Sequence, residues 1–199
     1  LFGGETQGAY QFADREYVGR NVHVEDEVAT CSDCHDSHRQ ELDLDTCTDC
    51  HEDVESVEDV RLLRVSDDPQ NEQVDFNGNG DVEEPMRDEI QSLLDDLYAQ
   101  IQNYAATVIG TGIVYDSHAY PYFFADTNGD GVADADELTY NNAFTSWTPS
   151  LLRTAYNFQY VQKDGGAYVH NPLYTLQVLY DSIEALGGAD AVASYIRPS

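Results

Sequence analysis

Apolar residues recur at helical spacing in three stretches of the C-terminal part of the chain. Ile90, Leu93, Leu94, Leu97, Tyr98, Ile101, Tyr104, Ala105 and Val108 follow one another at i, i+3, i+4, i+7 and i+8. Pro85 stands at their start and Gly110 and Gly112 at their end, which predicts a long amphipathic helix. Thr148 and Pro149 open a second helix with Leu152, Ala155, Tyr156 and Gln159 on one face, closed by Gly165 and Gly166. Asn171 and Pro172 open a third, carrying Leu176, Leu179, Tyr180, Ile183 and Leu186 and closed by Gly187 and Gly188. A shorter helix-like run, Val57 to Leu63, precedes the turn residues Asp67, Asp68 and Pro69. Residues 1–22 show no period: Gly3, Gly4, Gly8 and Gly19 are scattered among Phe2, Tyr10, Phe12 and Tyr17. This reads as an extended arm whose aromatic surface docks on a neighbour, a frayed terminus being the plainer alternative. The expected fold is therefore mainly α, with an arm at 1–22, a loop-rich segment at 23–66 and a helical domain at 67–199.

Charge changes the picture next. Nine Lys and Arg face 38 Asp and Glu, a formal net charge of −29 over 199 residues. That excludes nucleic acid and anionic membrane as partners and favours cations, metal oxides or basic redox proteins, a solvated coat for a salty or extracellular setting being the bland reading. No stretch is long and apolar enough to span a membrane. The start at Leu1, without a leader, reads as a processed or excised chain.

All four cysteines lie in one short segment. Cys31, Cys34 and His35 spell CSDCH, and Cys47, Cys50 and His51 spell CTDCH. CxxCH is the attachment signature of c-type haem: two thiols add across the porphyrin vinyls and the adjacent histidine becomes the proximal iron ligand. Zinc held by the four thiolates is the alternative, but zinc has no need of a histidine in the same place in both copies. Two disulfides are a poor alternative, since each pair spans too little chain to cross-link a domain. His35 and His51 thus fill one axial position on each iron. The distal candidates are His23 and His38, then His118 and His170; Met86 is the sole methionine and is expected to serve neither. His38, one helical turn past His35, is expected to reach the Cys47/Cys50 haem, leaving His23 for the Cys31/Cys34 haem. The short spacer between the two motifs brings the porphyrins close enough to exchange electrons.

Two loops carry oxygen ligands in a repeating pattern. Asp126, Asn128, Asp130, Val132, Asp134 and Glu137, with Gly131 at the sixth place, match the calcium loop D-x-[DN]-x-[DN]-G-x5-E in full. Asp75, Asn77, Asn79, Asp81 and Glu83 match more weakly: Met86 occupies the twelfth place, and Glu84 is the candidate replacement. An Asx/Gly turn is the alternative for this copy. Both loops precede helical patterns, which suggests calcium staples that offset like-charge repulsion in an acidic chain. The aromatic stretch YDSHAYPYFF at 115–124 is either core filler or packing for a porphyrin, with His118 as a further ligand.

CSDCHDSH, CTDCH, DFNGNGD, YDSHAYPYFF, DTNGDG and WTPSLLRTAYNFQYVQKD together resemble the C-terminal region of the extracellular and membrane-associated multihaem c-type cytochromes of anaerobic, metal-respiring microbes. The likeness covers about residues 20–187. It implies haem attachment outside the cytoplasmic membrane, hence a secreted or cell-surface protein. It also implies exchange with other redox proteins or extracellular acceptors. Such relatives carry further CxxCH motifs upstream, and some polymerise into conducting filaments in which a histidine of one subunit ligates a haem of the next. The leading expectation is an electron carrier with two bis-His haems and no catalytic residues, as a homo-oligomer or filament subunit. The competing readings are a small multihaem reductase with one open iron, and a calcium-stapled adhesion module. His118 and His170 are then idle, serve these haems, or reach a neighbouring subunit.

Overall fold

The computed structural model describes residues 8–21, 23, 28, 30–36, 38–39, 41–64 and 74–199; Phe2, Gly3, Gly4 and the turn expected at Asp67, Asp68 and Pro69 lie outside them. The elements are α1 (Cys31–Cys34), α2 (Asp45–Thr48), α3 (Val57–Val60), α4 (Met86–Tyr104), β1 (Gly112–Tyr115), β2 (Phe123–Asp126), α5 (Pro149–Gln162), α6 (Ala167–His170) and α7 (Pro172–Gly187). The described chain is mainly helical, as its periodicity predicts.

The three long helices begin at the residues that punctuate the sequence, while α5 ends at Gln162, before the expected Gly165. At α5 the Thr148 hydroxyl accepts the Leu151 N–H (3.2 Å), and at α7 the Asn171 carboxamide oxygen accepts the Tyr174 N–H (3.3 Å), each ahead of a proline in the first turn. The end of α4 loosens into a wider turn over 105–109. There the Gly110 N–H reaches back five residues to the Ala105 carbonyl (2.9 Å), and Gly110 takes the left-handed conformation at φ 81°. One core buries Leu93, Leu97 and Ile101 of α4, Leu151, Ala155 and Phe158 of α5, and Leu176, Leu179 and Ile183 of α7. Leu152 and Tyr156, expected on the apolar face of α5 with Ala155, are instead exposed because the helix turns the Leu151 and Phe158 side inward.

Helical spacing did not anticipate the hairpin. β1 and β2 pair antiparallel with Val114 opposite Phe124, so the aromatic stretch at 115–124 is its second half and turn. Each strand is four residues long, too short for alternation to stand out, and pairing across the turn gives it its stability. Its rings fill the end of the core: Tyr115 packs edge-on against Phe158 (centroids 5.1 Å), and Phe123 edge-on against Trp147 (5.5 Å).

The arm docks on its own chain rather than on a neighbour. Residues 8–21 run extended over α5 and α7, where buried amide side chains satisfy their backbone. Asn157 accepts the Tyr10 N–H (2.6 Å) and donates to the Tyr10 carbonyl (3.0 Å), and Gln177 accepts the Val18 N–H (2.9 Å). Arg197 donates to the Glu16 carbonyl (2.8 Å), pairs with the buried Asp181 carboxylate through two bonds (2.8 and 2.9 Å) and lies over the Tyr17 ring. Ala9 is buried against Tyr174 and Val178. The arm therefore ends at a defined place, next to the cysteine segment.

Leu97→Ala, in the fully buried centre of α4, is expected to cost about 2–5 kcal/mol in a denaturant titration. Val108→Ala, at an exposed position of the same pattern, is expected to stay within about 0.5 kcal/mol.

Candidate haem centres and calcium loops

Both cysteine motifs fold into the same local unit. CSDC and the matching turn of CTDC are single helical turns, closed by the His35 N–H on the Cys31 carbonyl and the His51 N–H on the Cys47 carbonyl, each at 2.9 Å. One turn places the two thiols on one side with the histidine just past them, the arrangement thioether attachment and axial ligation require. In the first copy the Thr30 N–H donates to the Asp33 carboxylate (2.7 Å), fixing the start of the turn. The two units pack against each other: the Asp43 N–H bonds the Cys34 carbonyl (2.8 Å) and the Thr46 hydroxyl the Asp33 carbonyl (3.0 Å).

The four cysteines are free thiols. Burial, with smaller contributions from neighbouring groups, pushes the Cys34 and Cys47 thiols up. Sulfurs bound to one zinc at about 2.3 Å lie less than about 4 Å apart. Among the described residues, the one group of three or more His, Cys, Asp or Glu ligand atoms within 4.8 Å of one another is Asp75, Glu84 and Glu89. The thiols are not gathered as a tetrahedral zinc site needs.

The histidines, by contrast, come in pairs. The rings of His23 and His51 have centroids 6.2 Å apart, and those of His35 and His170 are 6.3 Å apart. A metal–imidazole bond is about 2 Å long and the ring centroid lies about 1 Å behind the nitrogen, so two imidazoles on opposite faces of one iron sit about 6 Å apart. The donor set and its spacing fit two c-type haems. His35 Nδ1 is buried with no hydrogen-bond partner among the described residues.

This pairing differs from the expected one. His23, delivered by the arm, lies against His51 rather than His35. His38 is not on a helix with His35: α1 ends at Cys34, and His35 turns extended (φ −119°, ψ 135°) to bridge Leu42. The chain then enters a turn in which the Asp36 carboxylate accepts the N–H groups of His38 (2.9 Å) and Arg39 (2.8 Å), leaving His38 exposed. His118 stands at the tip of the hairpin with its side chain 93% exposed. Met86 is buried at the start of α4, away from the axial positions. His170 ends α6 from the far end of the sequence, which is why spacing around the motifs gave it low rank.

The second candidate calcium loop is drawn around Asp126, whose carboxylate accepts the N–H groups of Gly129 (2.6 Å) and Gly131 (2.9 Å), both glycines having positive φ. Asn128 accepts the Asp130 N–H (2.9 Å) and donates to Asp134 (2.9 Å), and Asp130 accepts the Val132 N–H (2.8 Å). Glu137 is 2% exposed; its Oε1 takes the Thr127 N–H (2.6 Å), which holds its carboxyl below the usual range, while its buried Oε2 has no hydrogen-bond partner among the described residues. An orphaned buried carboxylate oxygen at the loop's twelfth place is what a bound cation would satisfy. A turn and a short 3-10 segment at Tyr140–Asn142 follow this loop, where the sequence pattern suggested a helix.

In the first loop Asp75 accepts the N–H groups of Gly78 (2.6 Å) and Gly80 (2.7 Å), and Glu84 turns inward to meet the amides of Asn77 and Asn79. Asp81 and Glu83 face solvent; Asp81 accepts the Glu83 N–H (2.9 Å). Glu89, on α4 and outside the loop motif, was not anticipated. It is fully buried, bonds the Asn77 N–H (2.8 Å) and pairs with Arg64 (2.9 Å), which also holds the carbonyls of Val74 and Glu84. With both oxygens engaged, Glu89 braces the loop; Asp75 and Glu84, with the Asn77 and Asn79 side chains, are its candidate ligands.

Two CxxCH turns, each with a second imidazole across from its own histidine, form this site, and over 94 residues the chain is homologous to multihaem c-type cytochromes. The relatives it matches are the c-type polyheme cytochromes OmcB and OmcC of Geobacter sulfurreducens (strain ATCC 51573 / DSM 12127 / PCA), with the OmcB of strain DL-1 / KN400 matching equally. Each is 34% identical over 94 residues, 43% of this chain. The chain covers 12% of the length of each relative. No protein-family model matches it. No solved structure matches it.

Proposed function

We propose that the chain is a dihaem electron-transfer module in which both irons are ligated by two histidines from within the chain. One haem is attached at Cys31 and Cys34 with His35 and His170 as axial ligands. The other is attached at Cys47 and Cys50 with His51 and His23. The single observation supporting this reading is the spacing of the two imidazole pairs, 6.2 and 6.3 Å between centroids. When bound, haem supplies a one-electron iron couple; the chain's own residues close both faces of each iron, keep the two attachment turns in contact and surround them with carboxylates. Two nitrogens per iron and a formal charge of −29 both favour the ferric state and a low potential. No residue is assigned a catalytic role.

The reductase alternative requires an iron without a distal ligand, and His23 and His170 argue against one. The partners are other redox proteins or extracellular acceptors, and the setting is secreted or at the cell surface. Among the described residues no helix is long and apolar enough to cross a membrane. Calcium is assigned to the loop of Asp126, Asn128, Asp130, Val132, Asp134 and Glu137, and more weakly to that of Asp75, Asn77, Asn79 and Glu84. The chain is further proposed to assemble as a homo-oligomer or conducting filament. With four axial positions met in cis, the exposed His38 and His118 are the imidazoles that face other chains.

Three outcomes follow. The purified protein is expected to hold two covalent haems and give a wholly low-spin ferric EPR spectrum. His23→Ala and His170→Ala each convert one haem to high spin, whereas His38→Ala and His118→Ala convert none; a high-spin component in the parent protein means that an iron is open. Calcium at 100 times its dissociation constant is expected to raise stability by about 2.7 kcal/mol, an effect lost in Glu137→Gln if the second loop carries it. Sedimentation and electron microscopy of native material are expected to show assemblies, and a monodisperse monomer excludes the filament.

A further inference from the structure

We propose that Asp164 is a positioning residue that fixes His170 in the tautomer and orientation needed for axial ligation, and thereby lowers the potential of the haem attached at Cys31 and Cys34. The inference rests on the assignment of His170 as the distal ligand of that haem. His170 Nδ1 lies 2.7 Å from Asp164 Oδ1, and a carboxylate at that distance accepts the Nδ1 proton. The tautomer so fixed carries its lone pair on Nε2, the nitrogen that ligation would use. Metal-bound histidines commonly donate their other N–H to a carboxylate in this way, which makes the ring a stronger donor. A stronger donor stabilises ferric over ferrous iron.

The carboxylate is itself held in place. Its Oδ1 also accepts the Gly166 N–H (3.1 Å), and its side chain is 11% exposed against 32% for His170, so water competes weakly for the bond. The ring is confined from the other side as well. A Cβ at Gly166 would lie 2.7 Å from His170 Cε1 and 3.0 Å from Nε2, both atoms of a ring anchored by Asp164 and by the His170 N–H on the Gly166 carbonyl (2.8 Å). Gly166 has φ −113°, so its need for glycine is steric and comes from the ring. Across the haem site, His35 Nδ1 is buried without a partner among the described residues, so the carboxylate acts on this axial pair from the His170 side. The segment DGGAYVH is in effect a histidine mount: Asp164 sets the proton, Gly166 makes the room, and α6 carries the ring.

The test is spectroelectrochemistry and EPR of the haem-loaded protein carrying Asp164→Asn, Asp164→Glu or His170→Ala. Asp164→Asn is expected to raise one of the two midpoint potentials and leave the other unmoved, with both haems low-spin; Asp164→Glu, which keeps the charge, is expected to restore much of the shift. Unmoved potentials in folded Asp164→Asn overturn the proposal. His170→Ala separates the two claims: if it leaves both haems low-spin, the ligand assignment itself has failed. If it produces a high-spin haem while Asp164→Asn changes nothing, only the role of Asp164 falls. Should Asp164→Asn not fold, Gly166→Ala is read by the same spectra. Altered g-values at one haem are expected, and an unchanged spectrum overturns the proposal.

Discussion

A haem iron has two axial positions on opposite faces, and a CxxCH turn supplies a nitrogen for one of them. If the chain supplies the other as well, that histidine must be brought from a distant part of the sequence. Under the proposed ligation, the arm and the helical core meet that demand. The arm is pinned to α5 and α7 by Asn157, Gln177 and Arg197, and it carries the chain towards the site of His23 beside His51. The link between α5 and α7, both helices of the core, brings the His170 ring to 6.3 Å from that of His35. The two imidazoles proposed as distal ligands therefore come from opposite ends of the sequence, and the helical core is the frame that brings both ends to the cysteine segment.

Acidity imposes the second constraint. With 38 carboxylates against nine Lys and Arg, the fold cannot neutralise itself by ion pairs. The few cations are placed where one side chain organises several groups. Arg64 joins Glu89 to the carbonyls of Val74 and Glu84, and Arg197 joins Asp181 to the arm. Elsewhere carboxylates are turned onto backbone N–H groups, as in the two loops around Asp75 and Asp126. Such loops gather negative charge at fixed points, and divalent cations suit those points better than monovalent side chains do.

The parts of this arrangement that were legible in the sequence are those governed by local rules. Helices α5 and α7 begin on their capping residues, and α4 and α7 run out at their glycines, because apolar period and capping chemistry act within a few residues; α5 stops at Gln162, short of Gly165. The two cysteine turns were equally plain. The hairpin was hidden because its strands are short and its stability comes from pairing across a turn. The placing of His38 one helical turn past His35 fails because α1 ends at Cys34 and His35 turns extended to bridge Leu42. His170 stood below His38 in the sequence reading because its closeness to the His35 ring is purely tertiary, and Asp164 carried no sequence signal. Glu89 was missed since the calcium motif ends before it, and its burial depends on Arg64, which lies 25 positions away.

The account stands or falls on which nitrogens meet which irons. An anomalous iron map of the haem-loaded protein, at a resolution that shows side chains, addresses that directly. The account predicts two irons per chain, one between His35 and His170 and the other between His51 and His23. An iron faced by water or by a histidine of another chain, or zinc at the cysteines, would contradict it.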